Sequence, residues 1–448
     1  MDDINGFELP VVELIAFTRG DDEKLGPQEI SAIGALGCFR EDSSGKIWYK
    51  IKEMEDEKLD NLVKNVLKES AGRGHGSVTD QNLFIYSIED APRSATLFLC
   101  GPEYLSHEQQ SLRRASPTKG YYLPEKILKS KLAERVIQVL DDSFEFYDKA
   151  VESGVPKEDA RNPLSLYTRT NIQTAGNARE LMHLKKMSDG DSVPSVVKYT
   201  IGEIIKKAEE VAPNIFEDTG YNYETLAWRP SSQFFAPENR TINRMIEKNE
   251  TPEKPVILSY SGIEMGEEEI DDAVKNRNEA ELANLKHIHF EFISPMSISC
   301  FHQATRQRTW NQSVESIYDA AERGKMSVPP KIKNSVVFED YQKQNDEMLR
   351  LYNDLLEEGI PRSEAVGVLP HSLEIYDLMH VDGWNAVHSI GKRTCTEAQW
   401  EIRNIAREMS KHIKEKNSPL GKYSEPQCIV YGKCPEREPC GYFEKVSE

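Results

Sequence analysis

The sequence predicts an α+β fold that is built twice in one chain of 448 residues. Two observations lead to this prediction. Segment 154–161 (GVPKEDAR) resembles segment 359–366 (GIPRSEAV), and segment 177–183 (NARELMH) falls on segment 382–388 (DGWNAVH) at the same separation along the chain. Each half also combines an apolar alternating segment with long amphipathic helices. A fixed separation with a shared pattern indicates a tandem duplication.

The strands come first in each half. A buried strand near residue 11, and another near residue 255, each lead into an acidic helical segment. The alternating segments 83–88 (LFIYSI) and 289–294 (HFEFIS) then predict a half-buried strand in each copy.

The long helices follow the strands. Segment 125–152 and its counterpart at about 338–358 carry apolar residues three and four positions apart, which predicts amphipathic helices. Both stop at Gly-Val-Pro or Gly-Ile-Pro, a helix terminator. Further on, 196–208 matches 396–408 only if a gap is introduced.

These patterns divide the chain into four parts. We expect a first domain at 1–220, a linker rich in Pro, Asn and Glu at 221–254, a second domain at 255–413, and a polar tail with cysteines at 414–448.

Composition narrows the functional classes. Hydrophobic residues make up 38% and charged residues 29% of the chain, which is typical of a soluble globular protein. The net charge of −19 argues against binding nucleic acid through overall charge. No apolar run is long enough to span a membrane, and the acidic N-terminus does not read as a secretory signal, so we expect a cytoplasmic protein.

The stretch 299–318 concentrates polar side chains just past an apolar segment. Arg306 and Arg308 bracket Gln307 there. Guanidinium groups bind phosphate oxygens with two hydrogen bonds at once, so the pair suits a phosphate. From composition alone, a solvated pair of surface arginines explains the segment more simply.

Spacing makes this stretch resemble the signature of the flavin-dependent thymidylate synthases, Arg-His-Arg followed by seven residues and Ser. Arg306-Gln307-Arg308 and Ser316 stand at that spacing, and Gln303 lies three positions before the first arginine, as in the family. Downstream, the family's Leu-Pro, His/Asn, Arg and Ala-Gln-Trp-Glu-Ile-Arg are matched by Leu369-Pro370, His388, Arg393 and 398–403.

The first half resembles the same family at other positions, and the resemblance implies a mixed sheet with long helices in each copy. Its matches are His75 with Ser77-Val78, Gln110-Ser111-Leu112-Arg113, Ala160-Arg161, and Asn177, Arg179 and His183.

Superposing the copies at this separation shows that each lacks what the other keeps. Gln303, Arg306, Gln307, Arg308 and Arg393 fall on Phe98, Gly101, Pro102, Glu103 and Ser188. Conversely, Arg113, Arg161, Asn177 and Arg179 fall on Tyr318, Val366, Asp382 and Trp384. The alternative interpretation is that the whole protein is a degenerate, catalytically inactive relative of the family. Random loss of residues would affect both sets of positions equally, so we infer that one kind of site is kept and the other abandoned.

The resemblance implies how such a site is assembled. Members of the family are homotetramers with sites between subunits, so we expect one composite site type from both copies and a homodimer that mimics the tetramer. The substrate-binding residues would be Gln110, Ser111, Arg113, Arg161, Gln303, Arg306 and Arg393, of which Gln303 and Arg393 would be catalytic.

The resemblance also implies the reaction, in which dUMP becomes dTMP with FAD, NADPH as reductant and methylenetetrahydrofolate as carbon donor. FAD would be held by His75, Asn177, Arg179, His183, Arg306, Gln307 and Arg308. Gln307 replaces the family's His, and Asp80-Gln81 replaces its Glu-His. Two alternatives therefore stay open. The substrate could be another pyrimidine nucleotide or the carbon donor another pterin, or the chain could be a non-catalytic nucleotide- or flavin-binding protein.

Three cysteines recur every six residues in the tail, at Cys428, Cys434 and Cys440. With a fourth ligand they would form a zinc or iron–sulfur site. The absence of a Cys-x-x-Cys pair favours free or reactive thiols, so we assign no metal from the sequence.

Overall fold

A computed structural model describes residues 7–217, 234–248 and 252–447. Much of the predicted linker at 221–254 lies outside the described residues. Inside it, residues Arg240–Glu247 form a helix that Asn239 caps through a hydrogen bond from the Ile242 backbone N–H. Among the described residues, no helix is long and apolar enough to cross a membrane.

The strands form two antiparallel sheets of four strands each. The first sheet has the order β1-β2-β4-β3, and the second has the order β5-β6-β8-β7. The strands are β1 Val11–Phe17, β2 Leu83–Pro92, β3 Ser106–Gln109, β4 Arg169–Asn177, β5 Val256–Gly262, β6 Ile288–Ser297, β7 Asn311–Val314 and β8 Glu374–Asp382.

Helices make up most of the remaining described residues. In the first copy they are α1 Pro27–Phe39, α2 Ser44–Lys52, α3 Asp56–Glu69, α4 Arg93–Leu99, α5 Glu125–Leu128, α6 Ala133–Glu152, α7 Lys157–Ala160, α8 Ala178–Ser188, α9 Ser195–Val211 and α10 Pro213–Phe216. After α11 Arg240–Glu247, the second copy has α12 Glu267–Lys275, α13 Glu279–Asn284, α14 Ile298–Ala304, α15 Ile317–Arg323, α16 Pro330–Lys333, α17 Phe338–Glu357, α18 Arg362–Ala365, α19 Gly383–Asn385, α20 Gly391–Arg393, α21 Trp400–Lys416, α22 Ser418–Gly421, α23 Gln427–Tyr431 and α24 Tyr442–Ser447.

The α+β duplication is confirmed, and its register is stricter than the sequence indicates. Strands β2 and β6 start at Leu83 and Ile288, which stand at the separation found between the sequence repeats, and β4 and β8 start at the same separation. Helices α9 and α21 also keep this separation, with starts at Ser195 and Trp400, so the gap that the sequence comparison introduced is unnecessary.

Two local expectations are corrected. The helix expected over 125–152 is interrupted, because α5 ends at Leu128 and α6 begins at Ala133. Both sheets are antiparallel throughout, whereas a mixed sheet was expected.

The predicted helix terminators act through glycine. Gly154 and Gly359 follow the two long helices with φ of 84° and 88°, in the left-handed region that glycine adopts without strain. The N–H of Val155 then bonds back to Ala150, and that of Ile360 to Leu355, which closes each helix end.

Alternation along β2 explains why the core forms. Phe84, Tyr86 and Ile88 are fully buried on one face, as a period of two requires. The Tyr86 hydroxyl donates to the Ile204 carbonyl of α9 at 3.1 Å, so the buried phenol keeps a hydrogen-bond partner.

The chain divides into two compact units that differ from the two sequence copies. Among the described residues, unit 1 holds 7–141, 165–217 and 351–368, and unit 2 holds 142–164, 234–248, 252–350 and 369–447. Residues 142–164 of the first copy therefore pack in unit 2, and 351–368 of the second copy pack in unit 1. The boundaries expected for the copies stay a prediction.

Candidate functional site

The predicted site residues fall into two sets, one in each unit. Unit 1 contains His75, Gln110, Ser111, Arg113, Asn177, Arg179 and His183. Unit 2 contains Arg161, Gln303, Arg306, Gln307, Arg308 and Arg393.

In unit 1, three residues assigned to FAD line one cleft of about 540 Å³, here called the α8 cleft. Asn177, Arg179 and His183 lie on or next to the first turns of α8 and share this cleft with Asp80, Glu103, Tyr104 and Glu180. The Asn177 side chain accepts from the Glu180 backbone N–H at 2.9 Å, which fixes the start of α8. One strand end and one helix start therefore position all three side chains.

The Arg179 guanidinium is oriented by two contacts. Its Nη1 lies 3.3 Å from the Asp80 carboxylate. A Cβ at Gly76 would come within 2.9 Å of Cζ of Arg179, so a larger residue there would make the guanidinium shift from this position. Asp80, which departs from the family pattern, thus has a defined partner.

His183 is buried beneath the same cleft. Its Nδ1 lies 3.8 Å from the carboxylate of Glu180, which is also fully buried. His75 is exposed, lies against the Phe39 ring at a centroid distance of 6.4 Å, and is not among the residues that line the cleft.

The predicted phosphate segment of unit 1 forms a tight turn after β3. The Gln110 backbone N–H donates to the Asn171 carbonyl, and the N–H groups of Arg114 and Ala115 donate to the Ser111 carbonyl. The Ser111 hydroxyl accepts from the Arg113 N–H at 3.3 Å. This geometry presents Ser111 as a turn residue rather than as a nucleophile.

In unit 2, Gln303 lies at the end of α14, where the chain turns tightly through residues 305–310. The Arg306 N–H donates to the Gln303 carbonyl, and the Gln307 N–H donates to Ala304. Among the described residues, Nε2 of Gln303 is buried without a hydrogen-bond partner. A buried amide donor of this kind costs free energy unless a ligand carbonyl accepts from it.

Gln307 contacts Arg393 directly. With its amide oxygen turned toward the guanidinium, Gln307 accepts from Nε of Arg393 at 2.8 Å and from Nη2 at 2.6 Å. Two hydrogen bonds fix the plane of the guanidinium. Sequence reasoning assigned Gln307 to the flavin, and this contact with the predicted catalytic arginine was not anticipated.

Arg161 joins Arg393 around a buried thiol in the same unit. Burial raises the pKa of Cys300 well above its usual range, Glu401 raises it further, and the positive charges of Arg393 and Arg161 oppose both. Arg161 is 7% exposed, and its Nε donates to the Glu158 carbonyl at 3.2 Å. An arginine of the first copy therefore lies within electrostatic reach of the same group as an arginine of the second copy.

Sequence reasoning missed two buried carboxyls near Cys300. Burial raises the pKa of Asp377 to about 8, and burial also raises the pKa of Glu401. Glu401 accepts from the Ser297 backbone N–H at 2.8 Å and from the hydroxyls of Ser297 and Ser327. Glu401 stands in the family hexapeptide, and Asp377 stands where the first copy has an apolar residue, Ile172. Both carboxyls could therefore have been singled out from the sequence.

Arg306 and Arg308 are exposed on the turn that follows α14. Their guanidinium groups extend from a backbone held by the Trp310 N–H, which donates to the Gln307 carbonyl at 2.9 Å.

The matching place in unit 1 is apolar. The positions equivalent by the duplication to Cys300, Gln303, Arg393 and Arg161 are occupied by Ala95, Phe98, Ser188 and Val366, all buried in unit 1. The Ser188 hydroxyl donates to the Lys185 carbonyl, and the other three side chains have no donor for a phosphate or a pyrimidine.

The counterpart of the α8 cleft is likewise altered in unit 2. Trp384 stands where the first copy has Arg179, and its indole stacks on His388 at a centroid distance of 5.1 Å. The Thr309 hydroxyl donates to the Asn385 side chain at 2.6 Å, and Ser389 donates to the same oxygen. Contacts within the protein thus occupy the polar and aromatic side chains of this region.

Comparison with known proteins gives a consistent family. The model of the family described as thymidylate synthase complementing protein matches residues 22–214 and, a second time, residues 240–417.

Individual relatives agree with this match. The flavin-dependent thymidylate synthase of Saccharolobus solfataricus is 29% identical over 214 residues, which cover 47% of this chain and 77% of that protein. The one from Pyrococcus abyssi is 31% identical over 177 residues, 37% of this chain and 72% of that protein. The one from Pyrococcus furiosus is 26% identical over 237 residues, 50% of this chain and 89% of that protein. Each relative aligns with half of this chain or less, which is expected if this chain contains two copies of the family domain.

Among solved structures, a UMP/dUMP methylase, PolB, from Streptomyces cacaoi bound with 5-Br dUMP is similar with a TM-score of 0.40 and 16% identity. The similarity covers 49% of this chain and 99% of that chain.

Proposed function

Because the chain belongs to the family of thymidylate synthase complementing proteins, as a tandem duplication, we propose that it is a flavin-dependent methyltransferase that converts dUMP to dTMP. FAD would mediate the reduction, NADPH would supply the electrons, and methylenetetrahydrofolate would donate the carbon. We further propose that each chain keeps one site type, made from residues of both sequence copies.

One observation carries this proposal. In unit 2, Arg161 of the first copy accompanies Gln303, Gln307 and Arg393 of the second copy. The equivalent place in unit 1, also made from both copies, holds only apolar and small side chains. Inactivity of the whole chain would not leave one of two equivalent places polar and convert the other.

Gln303 and Arg393 would act on the pyrimidine ring. The unpartnered Nε2 of Gln303 is a donor for a ring carbonyl. Arg393 is held in one plane by Gln307, so it can donate to the ring edge without reorganising. Fixed donors stabilise negative charge that develops on the ring oxygens, and this is the largest contribution that such a site can make to catalysis.

Arg161 would bind the phosphate of the nucleotide, and Gln110, Ser111, Arg113 and Arg306 are assigned to the phosphate by sequence only. Arg161 is suited to this role because its guanidinium is buried and fixed by the Glu158 carbonyl. A desolvated guanidinium binds a phosphate oxygen more strongly than an exposed one.

The α8 cleft of unit 1 fits part of the flavin cofactor. Asn177, Arg179 and His183 offer side-chain donors, and Gly76 leaves the space that Arg179 occupies. Asp80, Glu103 and Glu180 line the same cleft, so it suits hydroxyl and N–H groups of the cofactor better than phosphate oxygens. Arg306, Gln307, Arg308 and His75 are assigned to FAD by sequence only.

When bound, FAD supplies the hydride chemistry, and the residues of the chain bind, orient and polarise. Two chains would provide the four family-like copies of a tetramer, so we propose a homodimer.

A second candidate is one-carbon transfer to a different pyrimidine nucleotide. The contact between Gln307 and Arg393 favours it, because it changes the donor pattern that faces the ring. The carbon donor would then be either methylenetetrahydrofolate or another pterin.

The test is release of tritium from dUMP labelled at C5, in the presence of NADPH, FAD and methylenetetrahydrofolate. We expect release and formation of dTMP by the full chain, and loss of both in Arg393→Ala. Arg350→Ala, which changes an exposed arginine paired with Glu347 on the surface, is the matched control and should keep activity. FAD binding without tritium release from dUMP would reject dUMP as substrate.

A further inference from the structure

A second cavity lies in unit 2, is lined by four cysteines, and contains none of the residues assigned to the nucleotide or the flavin. Its volume is about 320 Å³, and the thiols are those of Cys395, Cys428, Cys434 and Cys440. Only the last three are grouped along the sequence, and the structure adds Cys395. None of these cysteines is in a disulfide.

Three chain segments bring the thiols together. Cys395 stands in the loop between α20 and α21, and Cys428 is buried in α23. Gly432 ends α23 with a φ of 65°, which turns the chain so that Cys434 and Cys440 reach the same cavity. Cysteines spaced six residues apart could not meet on one helix face.

The loop that carries Cys395 is held from α21. Nη1 of Arg403 donates to the carbonyls of Thr396 and Ala398 at 2.7 and 3.2 Å, and Nε of Arg407 donates to Thr394 at 3.2 Å. Three carbonyls of the loop are thus fixed by protein donors. Arg407 also lies over the Tyr442 ring, which lines the cavity.

The arrangement does not suit a single ion. Across 7–217, 234–248 and 252–447, no group of three or more His, Cys, Asp or Glu side chains is placed to hold a metal ion. A zinc ion needs all four sulfurs about 2.3 Å from one point. A [4Fe–4S] cluster instead binds each of its four thiolates at a different iron, so its ligands surround a cavity rather than converge on one point.

Charge also favours a cluster over four free thiolates. Lys392 lines the cavity, but Glu397 and Glu436 line it too and offset that charge. Bound iron would supply the positive charge that four thiolates require.

One sulfur already has a donor of the kind that cluster sites use. The Thr396 hydroxyl donates to Sγ of Cys440 at 2.8 Å. Hydrogen bonds to ligand sulfurs tune the reduction potential of an iron–sulfur cluster.

We propose that Cys395, Cys428, Cys434 and Cys440 ligate an iron–sulfur cluster of the [4Fe–4S] type. Such a cluster ties residues 428–440 to the loop that directly follows Arg393.

The experiment uses the full chain, purified without oxygen and supplied with Fe²⁺ and sulfide. Iron and acid-labile sulfide are counted per chain, and the dithionite-reduced protein is examined by electron paramagnetic resonance. We expect about four iron and four sulfide ions per chain. Neither dUMP nor flavin enters these measurements, so they are independent of the proposed methyl transfer.

Single serine variants identify the ligands. Cys395→Ser, Cys434→Ser and Cys440→Ser should each lower bound iron at least two-fold, whereas the matched controls Cys38→Ser and Cys100→Ser should keep it. Cys440 is exposed, so its variant removes a ligand without disturbing the core, and circular dichroism verifies its folding. One zinc per chain without sulfide, free thiols without iron, or full cluster content in folded Cys440→Ser would each overturn the proposal.

Discussion

Asp377 provides a prediction that follows from burial of one carboxyl group. It lies in β8, is fully buried, and accepts from Nε2 of Gln312 at 2.8 Å. Its other oxygen has no partner among the described residues. Burial raises its pKa from 3.8 to about 8, so the carboxyl is protonated in the folded protein at neutral pH and ionised in the unfolded chain.

The sign of the pH dependence follows. Because the folded pKa is raised, the stability associated with Asp377 is fully present below pH 3.8 and is lost as the pH rises toward about 8. Each unit of pKa difference corresponds to roughly 1.4 kcal/mol, so about three units at pH 7 amount to roughly 4 kcal/mol against the folded state.

Asp377→Asn removes this titration and keeps the shape of the side chain. Its extra N–H lacks an acceptor, which costs about 1–3 kcal/mol at every pH. We expect the variant to be more stable than the wild type at pH 7 by about 2 kcal/mol and less stable at pH 4 by a similar amount. The free energy of unfolding in urea, measured from pH 4 to pH 8, tests this.

The control is Asp346→Asn, which changes an exposed carboxyl on α17 and should give a curve parallel to the wild type. If Asp377→Asn also runs parallel to the wild type, then the Asp377 carboxyl is not protonated in the folded protein and the reasoning is wrong.

The remaining predictions concern the proposed site. Arg393→Ala and Arg161→Ala should each weaken dUMP binding at least 30-fold in calorimetry, since each removes about 2 kcal/mol or more of charge-assisted hydrogen bonding; intact binding in Arg161→Ala would remove the first copy from this site. Gln307→His should make kcat/KM fall below about pH 6.5, because the protonated ring repels Arg393, while the wild type lacks this limb; identical pH profiles would show that Gln307 does not act on Arg393. Arg179→Ala should weaken FAD binding about 10- to 100-fold in fluorescence titration and leave dUMP binding unchanged; unaltered FAD affinity would reject the α8 cleft as a cofactor site.

The duplication was predictable because it leaves a periodic record. Matches at 154–161 and 177–183 fixed one separation between the copies, and the starts of β2, β3 and β4 stand at this separation from the starts of β6, β7 and β8. The break between Leu128 and Ala133 was missed, because apolar spacing continues across it and only the backbone shows the interruption.

The packing of the copies was not predictable from local patterns. Nothing in residues 142–164 or 351–368 indicates that these segments belong to the compact unit of the other copy. Amphipathic spacing tells which face of a helix is buried, but not which core it joins.

The contacts in the candidate site were likewise not predictable from local sequence patterns. Arg161 and Arg393 were singled out from motifs, yet only the fold shows that they influence one thiol, Cys300. Gln307 was visible as a departure from the family pattern, but its partner Arg393 is far from it along the sequence. Likewise, Cys395 joins the tail cysteines only in three dimensions.

The number of ligands bound per chain tests the central claim most directly. Calorimetric titration of the full-length, flavin-loaded protein with dUMP gives this number, and flavin absorbance gives the matching count of FAD. One dUMP and one FAD per chain are predicted, because only one of the two equivalent places keeps Gln303, Arg393 and Arg161. Two of either ligand per chain would contradict the account.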